Sequence, residues 1–294
     1  MMKKTVMLLL LILTFSTVLY AGSGDLIVTD KLGVGNTSPN YAVDVLGDVN
    51  ITGNFKINGV NLPSALTGAI SGLKIANDAT YPNTKINVTA NVIGTVVSPG
   101  TIGIDCTTGG QAAGNDLDTG TLQASQWYYI WAIYNGTTVA GLASLSSTSP
   151  AMPGGYKYNR LVGVAVTDSS ANFRIFSQIG NHFVYDEYQQ VSTGTTSQSW
   201  TTQNCSAFIP PITTRGCFQG EYLSPGNGGI SMSLRKKGSS STKGHLLLET
   251  GVSSGGVNAS GIDWVDTDSS QNVQLNAVAA IDWYLRVVDF ELNL

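Results

Sequence analysis

Between residues 42 and 62 the chain reads AVDVLGDVNITGNFKINGVNL, an alternation of apolar and polar positions nested inside a period of six. Val43, Val49 and Phe55 hold equivalent places, as do Val45, Ile51 and Ile57, with Asp44, Asn50 and Lys56 between them and Gly47, Gly53 and Gly59 closing each unit. Alternation predicts short strands, and glycine supplies the dihedrals of a tight turn. Three such units are too little chain to bury their own apolar strip, so the repeat is expected to associate through Val43, Val45, Val49, Ile51, Phe55 and Ile57. We read residues 22–62 as a β-repeat stalk. Residues 63–71, where Pro63 breaks the period, form a hinge.

Beyond the hinge the pattern is a succession of strands separated by turn residues. The run QWYYIWAIY at 126–134, the dipeptide Asn135-Gly136 and the run 137–145 predict a hairpin with a type I′ turn. Both faces of the first run are apolar, Trp127, Tyr129 and Trp131 on one and Tyr128 and Ile130 on the other, which predicts a central strand covered on both sides rather than an aromatic ligand platform. Strands are also expected at 85–93, 101–106, 161–167 and 172–179. The polar run at 186–199 suggests a boundary, after which strands follow at 216–223, 230–235, 245–249, 262–266, 273–278 and 281–294. In the last of these the alternation slips phase at Val287-Val288, which predicts a bulge. The expected fold is all-β: a signal helix over 1–21, the stalk, a β module over 72–187 and a β-sandwich over 188–294.

The first residues, MMKKTVMLLLLILTFSTVLYAGSG, place Lys3 and Lys4 before an apolar run and the small Ala21 after it, the order of a Sec signal peptide. Export to the cell surface or medium is expected, with no membrane span after cleavage. Without Lys3 and Lys4 the net charge is 13 − 19 = −6, which gives no electrostatic basis for binding nucleic acid. In an oxidising compartment Cys205 and Cys217, twelve positions apart, are disulfide candidates, leaving Cys106 as a buried thiol.

Candidate chemistry is sparse. His182 and His245 are the only histidines, they fall in different expected modules, and no G-x-S-x-G context accompanies either. Asp116/Asp118 and Asp263/Asp266/Asp268 offer paired acids for calcium or glycoside hydrolysis, but neither has EF-hand spacing and both lie where turns are expected, where aspartate serves turn hydrogen bonds. Arg235-Lys236-Lys237, before GSSSTKG, reads as a solvated hairpin tip. No cofactor or metal is expected. Polar loops of the C-terminal region are the better place for a glycan or receptor.

The segment KLGVGNTSP from Lys31, followed by VDVLGDVNITG, resembles the stalk segments of bacteriophage tail fibres and related bacterial surface fibres. GLKIANDATYPNTKINV, LDTGTLQASQWYYIWAIYN and AMPGGYKYNRLVGVAVTDSSANFRIFSQIGNHFVY resemble a module recurrent in phage tail proteins, and SWTTQNCSAFIPP, LRKKGSSSTKGH and WVDTDSSQNVQL look like the distal part of such fibres. The resemblance implies a homotrimer and a non-enzymatic adhesion role with a receptor- or glycan-binding C-terminal region. A phage-derived host-recognition protein and a secreted carbohydrate-active enzyme are the alternatives.

Overall fold

A computed structural model describes residues 68–94, 96–109, 114–224, 230–250, 257–278 and 282–294, together with the backbone of six short strands nearer the N-terminus. The chain divides into two units, Met1–Leu62 and Pro63–Leu294. In the first, β1 (Leu19–Tyr20) pairs antiparallel with β2 (Leu26–Ile27), β3 (Leu32–Val34) parallel with β4 (Val43–Val45), and β5 (Lys56–Ile57) antiparallel with β6 (Val60–Asn61). Residues 1–18 and 21 of the expected signal helix, Val49, Ile51 and Phe55, and the side chains of Val43, Val45 and Ile57 lie outside the described residues, while Leu19–Tyr20, expected in that helix, are strand.

The second unit is all-β, with no helix among the described residues. Its strands are β7 (Ile70–Ser71), β8 (Lys74–Asn77), β9 (Lys85–Ile93), β10 (Val96–Gly109), β11 (Asp116–Leu117), β12 (Trp127–Tyr134), β13 (Val139–Ser144), β14 (Tyr158–Val166), β15 (Phe176–Ile179), β16 (His182–Gly194), β17 (Gln198–Asn204), β18 (Arg215–Ser224), β19 (Ile230–Lys236), β20 (His245–Thr250), β21 (Val257–Asp266), β22 (Asn272–Val278) and β23 (Asp282–Glu291). One large mixed sheet runs β14-β12-β13-β11-β10-β9-β8-β15-β16-β23-β18-β21, with β7 added on β9, and a second sheet runs β17-β22-β19-β20. Among the described residues, the pairs β10/β11 and β11/β13 of the large sheet are parallel and its other pairs antiparallel.

The aromatic run occupies β12, hydrogen-bonded to β13 on one edge and β14 on the other and buried from Tyr128 through Ile133, as its two apolar faces require. The connection to β13 is longer than the expected two-residue turn. Tyr134 pairs with Val139, and the Asn135 carboxamide oxygen accepts the amides of Thr137 (2.9 Å) and Thr138 (2.8 Å), while Gly136 alone takes the positive φ, +106°. Asn135 therefore acts through its side chain as a turn acceptor.

The large sheet folds over on itself. A Cβ on Gly163 of β14 would sit 2.4 Å from Gln178 Oε1 and 2.5 Å from Ile75 Cδ1, so β14 approaches β8 and β15 more closely than a side chain permits. Gln178, 1% exposed, spans that seam by donating to the carbonyls of Val162 (2.9 Å) and Gly180 (2.7 Å). Farther along, Phe183 of β16 stacks between Phe176 of β15 (4.6 Å, 9°) and Phe290 of β23 (4.4 Å, 12°), and Trp127 meets Phe290 edge-on at 5.8 Å. The slip expected at Val287-Val288 is present: Cys217 pairs with Asp289 but Phe218 with Val287, leaving Val288 unmatched. Strand β16 continues through most of the polar run in which a boundary was expected.

Two turns, one hundred residues apart, share the sequence Thr-Asp-Ser-Ser-x-Asn: 167–172 and 267–272. Each follows a strand whose last residue is paired with the first residue of its neighbour, Val166 with Trp127 and Asp266 with Arg215. The Asp168 carboxylate accepts the amides of Ser170 (2.7 Å) and Asn172 (2.9 Å), and Asp268 those of Ser270 (2.9 Å) and Asn272 (2.8 Å). Ala171 and Gln271 take φ of +61° and +57°. The Asn172 amide chiefly holds the Asp168 carboxyl below the ordinary carboxylate range. At Asp268 burial opposes ionisation, but hydrogen bonds from Asn272 and Ser270 outweigh it and the result is again downward. With folded-state pKa values depressed, the unfolded chain binds more protons. The stability these groups contribute is complete above about pH 4 and is lost as the pH falls through their folded values. Asp168→Ala and Asp268→Ala are each expected to cost about 1 kcal/mol at pH 7, as for lost turn or cap hydrogen bonds, and that difference should shrink as the pH falls from about 4 to 3. Urea titrations at pH 7 and pH 3 check this, and an equal deficit at pH 3 would contradict it.

Candidate functional site

Alternation along β19 and β22 separates an apolar underside from a polar floor. Met232, Leu234, Val273, Leu275 and Ala277 are fully buried, whereas the opposite face presents the cross-strand pairs Ser231/Val278, Ser233/Asn276 and Arg235/Gln274. Trp200, on neighbouring β17, rises at one end of this floor. The Arg235 guanidinium lies 4.1 Å from the centre of its indole, and the Arg235 Nε donates to Gln274 Oε1 at 2.9 Å.

The chain between β19 and β20 returns over the floor. Arg235 Nη1 donates to the Ser241 carbonyl, and Gly244, at φ +64°, passes so close that a Cβ there would lie 2.7 Å from the Trp200 ring and 2.6 Å from the Leu234 carbonyl oxygen. Glycine is required at that point both for its dihedral and for the approach. The result is an open hollow of about 610 Å³, lined among the described residues by Trp200, Ser231, Ser233, Thr242, Lys243, Gly244, Asn276 and Val278. Hydroxyls and carboxamides both donate and accept hydrogen bonds, which matches a polyhydroxylated ligand.

The histidines and paired acids singled out from sequence lie elsewhere, whereas Arg235, expected at a solvated hairpin tip, is half-buried and hydrogen-bonded on the floor. His182 Nε2 is 3.5 Å from Asp289 Oδ2, and His245 Nδ1 is 3.2 Å from Asp263 Oδ2, so the two imidazoles have separate carboxylates. Asp118 Oδ2 accepts the Ser144 hydroxyl (2.6 Å) and the Ala151 amide (3.0 Å), Asp266 faces Arg215 at 3.9 Å, and Asp268 closes its turn. Among the described residues no three His, Cys, Asp or Glu side chains are grouped to hold a metal ion.

The expected Cys205–Cys217 bridge is corrected: Cys106, Cys205 and Cys217 are each buried free thiols. Cys205 belongs to the core and its Sγ is 3.8 Å from the Gln203 carbonyl oxygen, whereas Cys217, between the inward Gly216 and Phe218, lies outside the core cluster and hydrogen-bonds Asp289. Burial pushes both thiols up to about 12. A Cys217–Asp289–His182 cluster therefore carries no ready thiolate. Burial also raises the Asp289 carboxyl, against the opposing pull of His182 and the Cys217 thiol.

On the same outer face of the large sheet, Arg286 is ion-paired with Glu221 and sits 4.3 Å and 5.0 Å from the ring centres of Tyr188 and Tyr284. Trp200 and Lys243 were not singled out from the sequence. The available signal was a tryptophan on a polar strand and a Gly-Ser-rich basic turn, which only the pairing of β17 with β22 and of β22 with β19 brings together. No protein-family model matches the chain, and no curated protein matches it at a significant level.

Proposed function

We propose that this chain is an exported, fibre-like surface protein: an N-terminal repeat that self-associates as a homotrimer, carrying a C-terminal region that binds a surface glycan without cleaving it. The resemblance to tail and surface fibres supports the architecture, and the facing of the β17-β22-β19-β20 sheet against the end of the large sheet supports a sandwich-like C-terminal region. The carrying observation is the hydroxyl- and amide-lined floor between Trp200 and Lys243. The high thiol pKa values and the separate His–Asp pairs favour binding over chemistry.

The test is incubation of the purified protein with immobilised cell-surface polysaccharides. Retention without release of new reducing ends is expected. Trp200→Ala should weaken retention by roughly tenfold, equivalent to about 1.4 kcal/mol. Reducing ends released in proportion to protein would overturn the binding reading in favour of an enzyme.

A further inference from the structure

Resting on the glycan-binding reading above, we infer that the floor beside Trp200 selects N-acetylated hexosamines, sugars that carry an acetamido group among their hydroxyls. The hollow has an indole at one end and an exposed apolar side chain, Val278, at the other, with hydroxyls and a carboxamide between them.

Strand register sets the order of these groups. Asn276 of β22 pairs with Ser233 of β19, with Gln274/Arg235 on one side of that pair and Val278/Ser231 on the other. Trp200 of β17 falls between Gln198, which pairs with Ala277, and Thr201, which pairs with Leu275, so it stands beside Asn276. The Arg235 guanidinium lies against one face of the indole, and its bonds to Gln274 and the Ser241 carbonyl hold it there. Among the described residues Trp200 lines the hollow and Arg235 does not. The opposite face of the ring therefore looks along the floor toward Ser231 and Val278. The face of an aromatic ring is electron-rich, so it suits the C–H face of a pyranose, whose edge hydroxyls then meet Ser233 and Asn276.

Val278 is out of keeping with a polar floor. It is 52% exposed, whereas Val273, Leu275 and Ala277 of the same strand are fully buried on the other face. Two residues along an extended strand from Asn276, it lies about 7 Å away, within the span of one substituted sugar ring. An acetamido group supplies both kinds of partner needed there. Its methyl covers Val278, and its N–H and C=O meet the Ser231 hydroxyl and the Asn276 carboxamide, each able to donate and to accept. The parent hexose has a hydroxyl in place of that group and would leave Val278 against a polar atom. A 6-deoxy sugar offers a methyl but no amide.

A glycan array carrying N-acetylhexosamines, their parent hexoses, 6-deoxyhexoses and uronic acids, probed with the full-length protein, tests the assignment. N-acetylglucosamine or N-acetylgalactosamine members should be retained about tenfold more tightly than the glucose and galactose counterparts, the lower end of what one apolar group contributes to discrimination. Val278→Thr, which keeps the branched shape and exchanges a methyl for a hydroxyl, should cut that preference at least threefold without changing parent-hexose binding. Val278→Ile should keep the preference, and Trp200→Ala should weaken both kinds of sugar alike. Ile262→Thr, at an equally exposed apolar position on β21 of the large sheet, should change neither. Val278 is exposed, so its variants are expected to fold, and unchanged circular dichroism confirms it. Parent or 6-deoxy hexoses bound as tightly as the acetylated ones, or a preference indifferent to Val278→Thr, overturns the acetamido assignment and leaves glycan binding standing. Silence across all four classes overturns both.

Discussion

Phe290→Ala is expected to remove about 3–5 kcal/mol of stability from the Pro63–Leu294 unit, the usual cost of emptying a fully buried phenylalanine site. The ring is 0% exposed and belongs to an aromatic column crossing three adjacent strands, Phe176, Phe183 and Phe290, with Tyr185 edge-on at 6.1 Å. Its contact with Trp127 ties that column to β12, from the far end of the sheet order. Each aromatic pair adds about 0.5–1.5 kcal/mol beyond burial, so the upper half of the range is expected. A native domain has only about 5–15 kcal/mol in total, and the variant should unfold at a visibly lower urea midpoint and expose Trp127 fluorescence to quencher. Phe290→Leu, which keeps much of the volume, should cost less than half as much. A midpoint change equivalent to under 1 kcal/mol for Phe290→Ala would mean that the column relaxes to fill the space.

The second large effect is expected in the stalk and is argued from sequence. Six apolar positions per chain, Val43, Val45, Val49, Ile51, Phe55 and Ile57, lie on alternating sites of the repeat. At about 1.5–3 kcal/mol for each aliphatic side chain fully buried, three chains around one axis gain enough to offset the cost of association. Ile51→Asp combined with Ile57→Asp would place two carboxylates per chain in the proposed seam and should leave the protein a monomer at micromolar concentration, where the wild type is expected as a trimer. The β-sheet circular dichroism of the second unit should persist. Sedimentation velocity reads the result directly. A wild-type protein that already sediments as a monomer would dismiss the stalk reading.

What was legible in the sequence was whatever a strand declares locally. The apolar run of β12 announced its own extent to within a residue, and the slip at Val287-Val288 announced a bulge, because both depend on a period of two along one strand. The polarity of β16 was misleading as a sign of interruption: Tyr188 and Gln190 are exposed although the strand continues, so polarity there records solvent on one face. The repeated Thr-Asp-Ser-Ser-x-Asn turn was in plain view but had no meaning until the strand ends flanking each copy were seen in the same register. The floor at Trp200 was least legible. Arg235 is 35 residues from Trp200 and Gln274 is 39 from Arg235, and no local rule predicts which strands of a sheet become neighbours. Likewise Cys205 and Cys217 are close in sequence, but alternation turns Cys217 away from the core that holds Cys205.

The place of β23 bears on when the protein can fold. Its ten residues near the C-terminus lie between β16 and β18, pairing with both. Ribosomes add about 5–20 residues per second, so β16 is made on the order of 5–20 s before its partner exists. Until then β16 and β18 each present an open edge, and the Phe183 ring lacks the Phe290 face on which it stacks. The large sheet is continuous from β16 to β18 only once β23 has been made, so the two strands must wait, unpaired on facing edges, for a partner distant in the chain.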